Sequence, residues 1–238
     1  MSTLPRNIIL RAVGDRTQLA PILTQMGLGT PRPTLVLIGG ADYLNERRSA
    51  ALKQLFAQVL APLAQELGLY VVDGGTDAGV MRLMGQARQA IGGSFPLIGV
   101  APNELVLMPG ETSLNPDAAP LEIHHTHCLL VPGTEWGAES AWIAATASVL
   151  AGSQPSATVL VNGGNVAWKD ALCSVEAGRP LWVMLGSGRT ADQIAMALQG
   201  SRVKDDRAYT LLESGLLRAI DVAQPVAELQ TQFHQIFR

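Results

Sequence analysis

The chain has 238 residues, 47% hydrophobic and 16% charged, with 24 glycines and a formal net charge of −3 from 17 Lys+Arg against 20 Asp+Glu. A chain of this size can bury roughly 70% of its unfolded surface, which excludes disorder for most of its length, and its scattered basic residues exclude the electrostatic footprint of a protein that binds a nucleic-acid polymer. Cys128 and Cys173 both lie in apolar runs, as reduced, buried thiols of a cytoplasmic protein do, and a disulfide-stapled secreted class is disfavoured.

In chain order, residues 1–33 are an extension to the core. The first residues lack the apolar region of a signal peptide. Residues 7–13 are expected as an edge strand, 17–26 as a helix, and 27–33, with two glycines and two prolines, as a turn-rich linker. From Thr34 one pattern repeats: a short apolar run, a glycine step, then a longer helical stretch. The runs are 35–38, 69–72, 97–98, 129–131, 159–161 and 181–185, and the helical stretches are 45–67, 78–91, 138–151, 166–177 and 191–198. Runs rich in Val, Ile and Leu without polar alternation are what strands covered on both faces look like. Parallel neighbours need right-handed crossovers, so the expected fold is α/β: one Rossmann-like, doubly wound, mainly parallel sheet with helices on both faces. A single domain spans 1–238, with its core at 34–200.

Residues 140–168 contain no charge and exceed a membrane span in length, but residues 152–155 and 162–164 break the stretch into a buried helix, a turn and a buried strand. No membrane segment is expected. At the far end, 204–207 reads as a charged turn and 211–237 as two helices around Pro225. The second is expected to dock on the sheet or on a partner subunit, consistent with a homo-oligomer.

The glycine steps fall where strands pass into helices, the edge of an open α/β sheet at which ligands bind. Glycine there lets the main chain approach a ligand while free helix amides point at an anion, so a phosphate is the natural guest; steric turn-making is the alternative. Gly39-Gly40-Ala41-Asp42-Tyr43-Leu44 matches neither a G-x-G-x-x-G fingerprint nor a P-loop, and Gly186-Ser187-Gly188 has Ala191 in place of a third glycine. Hydride transfer and nucleoside triphosphate hydrolysis lose weight accordingly. Arg189, beside a helix start, suits a phosphate or pairs with Asp192, and Arg82 is a second candidate. Glu135 and Glu139 flank Trp136 and Gly137 at another helix start, where the dipole keeps a carboxylate ionised; Glu139 then compensates the dipole or accepts ribose hydroxyls. Acid catalysis would need the opposite, a pKa raised by burial. His125 and His127, two apart in an extended segment, would share a face with His124 turned away; two ligands do not make a zinc site, and packing is the expected role. No nucleophile elbow is present.

The order of the motifs Ile38-Gly39-Gly40-Ala41, Asp73-Gly74-Gly75-Thr76-Asp77-Ala78-Gly79-Val80, Ile98-Gly99-Val100-Ala101, His125-Thr126-His127, Trp136-Gly137-Ala138-Glu139 and Gly186-Ser187-Gly188-Arg189-Thr190-Ala191-Asp192 resembles the SLOG (LSDAT) domain of melastatin-type TRP channels. Stand-alone prokaryotic relatives are the closer match, and the resemblance covers about residues 34–200. It implies a small-molecule nucleotide ligand of the ADP-ribose or NAD-related kind, with no pore, resident cofactor or metal. Carried over by position, ligand contacts would come from Gly39 and Gly40, from Gly74, Gly75, Thr76, Ala78, Gly79, Val80 and Arg82, from Gly133, Thr134, Trp136, Gly137 and Glu139, from Gly163 and Gly164, and from Gly186, Ser187, Gly188 and Arg189. A more distant similarity is to the cytokinin-activating LOG phosphoribohydrolases. Their Pro-Gly-Gly-x-Gly-Thr-x-x-Glu motif is met here by Pro132-Gly133-Thr134-Glu135-Trp136-Gly137-Ala138-Glu139, with altered spacing. That similarity implies an N-glycosidic hydrolase as the alternative, with Glu139 catalytic.

Overall fold

The computed structural model describes residues 8–40, 45–108 and 110–237. After β1 (Ile9–Ala12), a 3-10 turn (Arg16–Gln18) capped by the Asp15 carboxylate leads into α1 (Leu19–Gln25). Then come β2 (Thr34–Gly39), α2 (Glu46–Leu55), a π-helical turn (Phe56–Leu60), α3 (Ala61–Leu67), β3 (Tyr70–Asp73), α4 (Gly79–Ala90) and β4 (Leu97–Pro102). The pair β5 (Val106–Leu107) and β6 (Ala119–Pro120) precedes β7 (His127–Val131), α5 (Ser140–Ala151), β8 (Ser156–Val161), α6 (Asn165–Glu176), β9 (Leu181–Leu185) and α7 (Arg189–Leu198). The chain closes with α8 (Arg207–Glu213), β10 (Leu217–Asp221) and α9 (Val226–Ile236).

Eight strands form one all-parallel sheet in the order β1-β7-β4-β3-β2-β8-β9-β10. Because successive strand residues point to opposite faces, β2 sends Leu35 and Leu37 to a core with Leu52, Phe56, Leu60, Met84 and Phe233. Its Val36 and Ile38 enter a second core with Leu19, Leu23, Ile143, Trp168 and Ile194. Both faces are therefore covered, as the unbroken apolar runs require.

The helix expected over 45–67 is continuous but widens at the π-helical turn. Pro62 has no amide to give the carbonyl of Gln58, and that oxygen instead accepts Gln230 Nε2 from α9 at 2.9 Å. The carboxyl-terminal expectation needs correction, because a strand stands where the first of two helices was expected. Only Leu217 and Ile220 of β10 are buried, a three-residue step that imitates helical spacing. Gly215, at φ 68°, breaks the chain out of α8, and β10 then satisfies the outer edge of β9 through the pairing Leu217 to Leu181. Helix α9 docks on the sheet through Leu229 and Phe233. Among the described residues no helix is long and apolar enough to cross a membrane, and the uncharged stretch divides into α5, a turn and β8 before α6 begins.

Behind β3 and β4 lies a buried charge network. His125 sits between Asp73, with Nε2 to Oδ1 at 2.8 Å, and Glu122, with Nδ1 to Oε2 at 2.8 Å. Glu122 also pairs with His124 and presses on α4 where a Cβ on Gly85 would lie 2.2 Å from Oε2. Glycine in mid-helix costs about 1 kcal/mol relative to alanine, and close approach of this carboxylate is its reason. Burial alone would lower the His125 pKa, but the Asp73 and Glu122 carboxylates overcome it and raise it to about 9 from its ordinary 6.5.

Two outcomes follow from the network. Gly85→Ala, which should stabilise an open helix, is expected to lower stability by about 1–3 kcal/mol by displacing Glu122, and a thermal or urea melt reads the sign. A group whose pKa rises on folding contributes fully below its unfolded value and loses that contribution as pH passes the folded one. Urea midpoints are therefore expected to fall between about pH 6.5 and 9; midpoints flat across that window would contradict an ionised His125.

Candidate functional site

Strands β3, β4 and β7 lie to one side of β2, and β8 returns to the other side. The progression of strand order reverses between β2 and β8, and in open α/β sheets ligands bind outside the strand ends at such a point. A cavity of about 390 Å³ opens there. Its walls come from the end of β2 (Ile38, Gly39, Gly40), the β3–α4 turn (Gly74, Thr76, Ala78), the start of α5 (Trp136, Glu139), the start of α6 (Gly164, Asn165, Asp170) and the first residue of α7 (Arg189). Leu37, Met81, Ile143 and Val166 make much of the remaining surface apolar.

Four helices, α4 to α7, begin at this cavity, and none is closed by a hydrogen bond from its N-cap side chain. Ala78, Gly164 and Gly188 have no group to offer, and Glu139 turns back to accept the Gly137 amide at 2.7 Å. The dipoles of these helix starts favour an anion at this edge, while at α7 the Thr190 and Ala191 amides already donate to the Gly163 and Asn162 carbonyls.

The glycine doublets divide their work. A Cβ on Gly39 would lie 1.9 Å from the Val161 carbonyl oxygen, one on Gly75 2.9 Å from Gly99 Cα, and one on Gly163 2.6 Å from Ala167 Cβ. Those three glycines are demanded by neighbouring chain, whereas Gly40, Gly74 and Gly164 open onto the cavity. The structure thus holds both alternatives, steric and ligand-facing, within each pair.

Of the remaining expected contacts, several lie outside the cavity wall. Val80 is wholly buried in the core, and Gly79 starts α4 at φ 47°. Arg82 folds back on Asp77, with Nε to Oδ1 at 2.7 Å, rather than facing the cavity. Gly133 is required where its Cβ would meet Ala138 Cβ at 2.6 Å, Thr134 is exposed, and Gly137 makes a φ 95° turn. Gly186 and Gly188 shape the β9–α7 turn, and Ser187 Oγ donates to Met184 O at 2.5 Å while accepting the Asn162 amide at 2.8 Å. These bonds lace the turn to the one after β8 and set Arg189 at φ 49°, a left-handed backbone held by its surroundings. Asp192 accepts the Gly186 amide at 2.7 Å and pairs with Arg48 at 3.6 Å, and the Arg189 guanidinium lies against Gly164. Residues 41–44 lie outside the described residues.

Glu139 also departs from expectation. It is 6% exposed, and burial pushes its carboxyl above the usual carboxylate range against the pull of backbone amides and Lys169. Asp170, unremarked in the sequence reading, is raised to about 7, by burial first and by Glu139 second, while a 2.6 Å bond from Ser140 Oγ opposes the shift. Its only sequence signal is an acid amid the apolar residues of α6. A groove of about 320 Å³ adjoins the cavity beyond Arg189, where Arg207 stacks 4.9 Å over Trp168 and bonds Asn165.

The histidines diverge because residues 123–126 turn instead of extending. His125 faces Asp73 and Glu122, while His127 bonds Thr126 and, at 3.2 Å, the Met26 carbonyl behind the opposite face. Among the described residues no group of three or more His, Cys, Asp or Glu side chains is arranged to hold a metal. Cys128 is fully buried, which pushes its thiol up to about 12, and both cysteines are free.

The X-ray structure of TM1055, a Northeast Structural Genomics Consortium target, is similar over 86% of this chain and 99% of its own, with a TM-score of 0.52 and 20% identity, which shows a shared fold. A family model described as SLOG in TRPM, prokaryote (LSDAT_prok) matches residues 32–230, a span that includes every wall of the cavity. The chain belongs to this prokaryotic SLOG family.

Proposed function

We propose that the protein is a soluble binder of a nucleotide derivative of the ADP-ribose or NAD-related class. The observation that carries this reading is the cavity at the strand-order reversal, ringed by four helix starts without side-chain caps and flanked by Arg189. Amides and a guanidinium together suit a diphosphate. The apolar wall suits a base, and Glu139 and Asp170 suit sugar hydroxyls. Family membership supports the same class of ligand.

A second reading, cleavage of an N-glycosidic bond in such a ligand, is favoured by one observation: Glu139 is buried and raised, beside Asp170 at about 7. A carboxyl held at about 7, as Asp170 is, is partly protonated near neutrality. In that reading the bond from the sugar carbon to the base breaks as water adds to the carbon. The protonated carboxyl gives its proton to the departing base, and the other carboxylate takes one from the water.

ADP-ribose at about one hundred times its Kd is expected to stabilise the chain by about 2.7 kcal/mol, and Arg189→Ala to weaken binding about ten- to a hundred-fold, the scale of a charged hydrogen bond. Calorimetry and melting curves with ADP-ribose, NAD and AMP check both; no heat and no shift with any of them removes the binding reading. Chromatography after long incubation separates the two readings. A binder returns its ligand intact, whereas a hydrolase releases free base, and Glu139→Gln is then expected to abolish that release.

A further inference from the structure

Both ring nitrogens of His125 meet carboxylate oxygens, those of Asp73 and Glu122. A neutral imidazole carries one N–H, so one of these contacts would set lone pair against lone pair; only the imidazolium donates at both. Asp73 also depends on that charge. Its Oδ2 is buried with no hydrogen-bond partner, and among the described residues His125 is the cation paired with it. Removing the charge would leave a buried carboxylate uncompensated, a costly arrangement.

The same assembly grips the cavity wall. Asp73 Oδ1 accepts the Gly75 amide at 2.8 Å, and the Glu122 amide donates to the Gly75 carbonyl at 3.0 Å. Gly75 is thus held at its N–H by one carboxylate residue and at its C=O by the other, and His125 ties the two together. Gly74 and Thr76, on either side of it, line the cavity.

We propose that His125 is a positioning residue for the binding site: its imidazolium, clamped between Asp73 and Glu122, sets the turn at residues 74–76 whose backbone meets the phosphate-bearing ligand. This rests on the binding reading above. The charged or titratable groups facing the ring are Asp73 on β3, Glu122 and His124 on the segment before β7, Arg88 on α4, which bonds the His124 carbonyl and acts on Glu122, and the Cys128 thiol on β7, which feels Asp73. The raised pKa of His125, about 9, agrees with an imidazolium at neutral pH.

Calorimetry of the full chain with ADP-ribose from about pH 6 to 10 tests the inference. Wild-type affinity is expected to hold steady at neutral pH and fall as the pH passes about 9. Glu122→Gln keeps an acceptor but removes a charge, and is expected to move that fall to lower pH. His125→Gln is expected to lose about ten-fold or more in affinity at neutral pH with an unchanged far-UV spectrum, whereas His127→Gln, outside the network, is not. If His125→Gln does not fold, the Glu122→Gln pH profile decides alone. Binding by the wild type with no such pH dependence, or with the same midpoint in Glu122→Gln, overturns this inference and leaves the binding reading standing. A wild type that binds none of ADP-ribose, NAD and AMP overturns both.

Discussion

Main-chain contact at the carboxyl edge of the sheet is the constraint on which the rest depends. Where Gly39 of β2 meets Val161 of β8, and Gly75 of the β3–α4 turn meets Gly99 of β4, backbone packs against backbone with no space for a side chain. Such contact pulls the ends of β2, β3, β4 and β8 into one compact rim. The other glycine of each doublet, Gly40, Gly74 or Gly164, opens onto the cavity. Steric necessity and ligand access are not rival explanations of a glycine doublet here, because each pair answers to both.

The electrostatics follow from that rim. A net charge of −3 spread over the chain says little, since what matters is where charge is buried. The helix starts and Arg189 bring positive potential to the cavity, and Glu139 and Asp170, both raised by burial, oppose it. This opposition favours a guest with an anionic part and a hydroxyl-bearing or basic part, and it disfavours a polyanion. Beneath the rim, His125 pairs with Asp73 and Glu122 in a buried place, and those two residues hold Gly75 at its amide and its carbonyl.

Departures from the sequence reading have identifiable physical causes. Strand β10 escaped because its two buried residues are three apart, as on a helix face, and only the unsatisfied edge of β9 favours an extended partner. The paired histidines were expected on one face because alternation holds only for extended chain, and residues 123–126 turn. Glu139 was expected to stay ionised from its place at a helix start, a local property. Its burial is a tertiary property, set where α5 and α6 meet at the cavity.

Local pattern determined the repeating apolar runs, the glycine steps, the parallel doubly wound class and the strand ends at which the cavity lies, because strand burial and βα turns leave their mark within a few residues. Residue identity likewise marked Arg189 and Glu139 as chemically apt. Tertiary structure alone decided that β8 returns beside β2 to open the cavity and that Asp170 from α6 joins Glu139. It also placed His125 between two carboxylates, one of them 52 residues away in the chain. Burial and charge balance are sums over neighbours brought together by folding, so no window of sequence contains them.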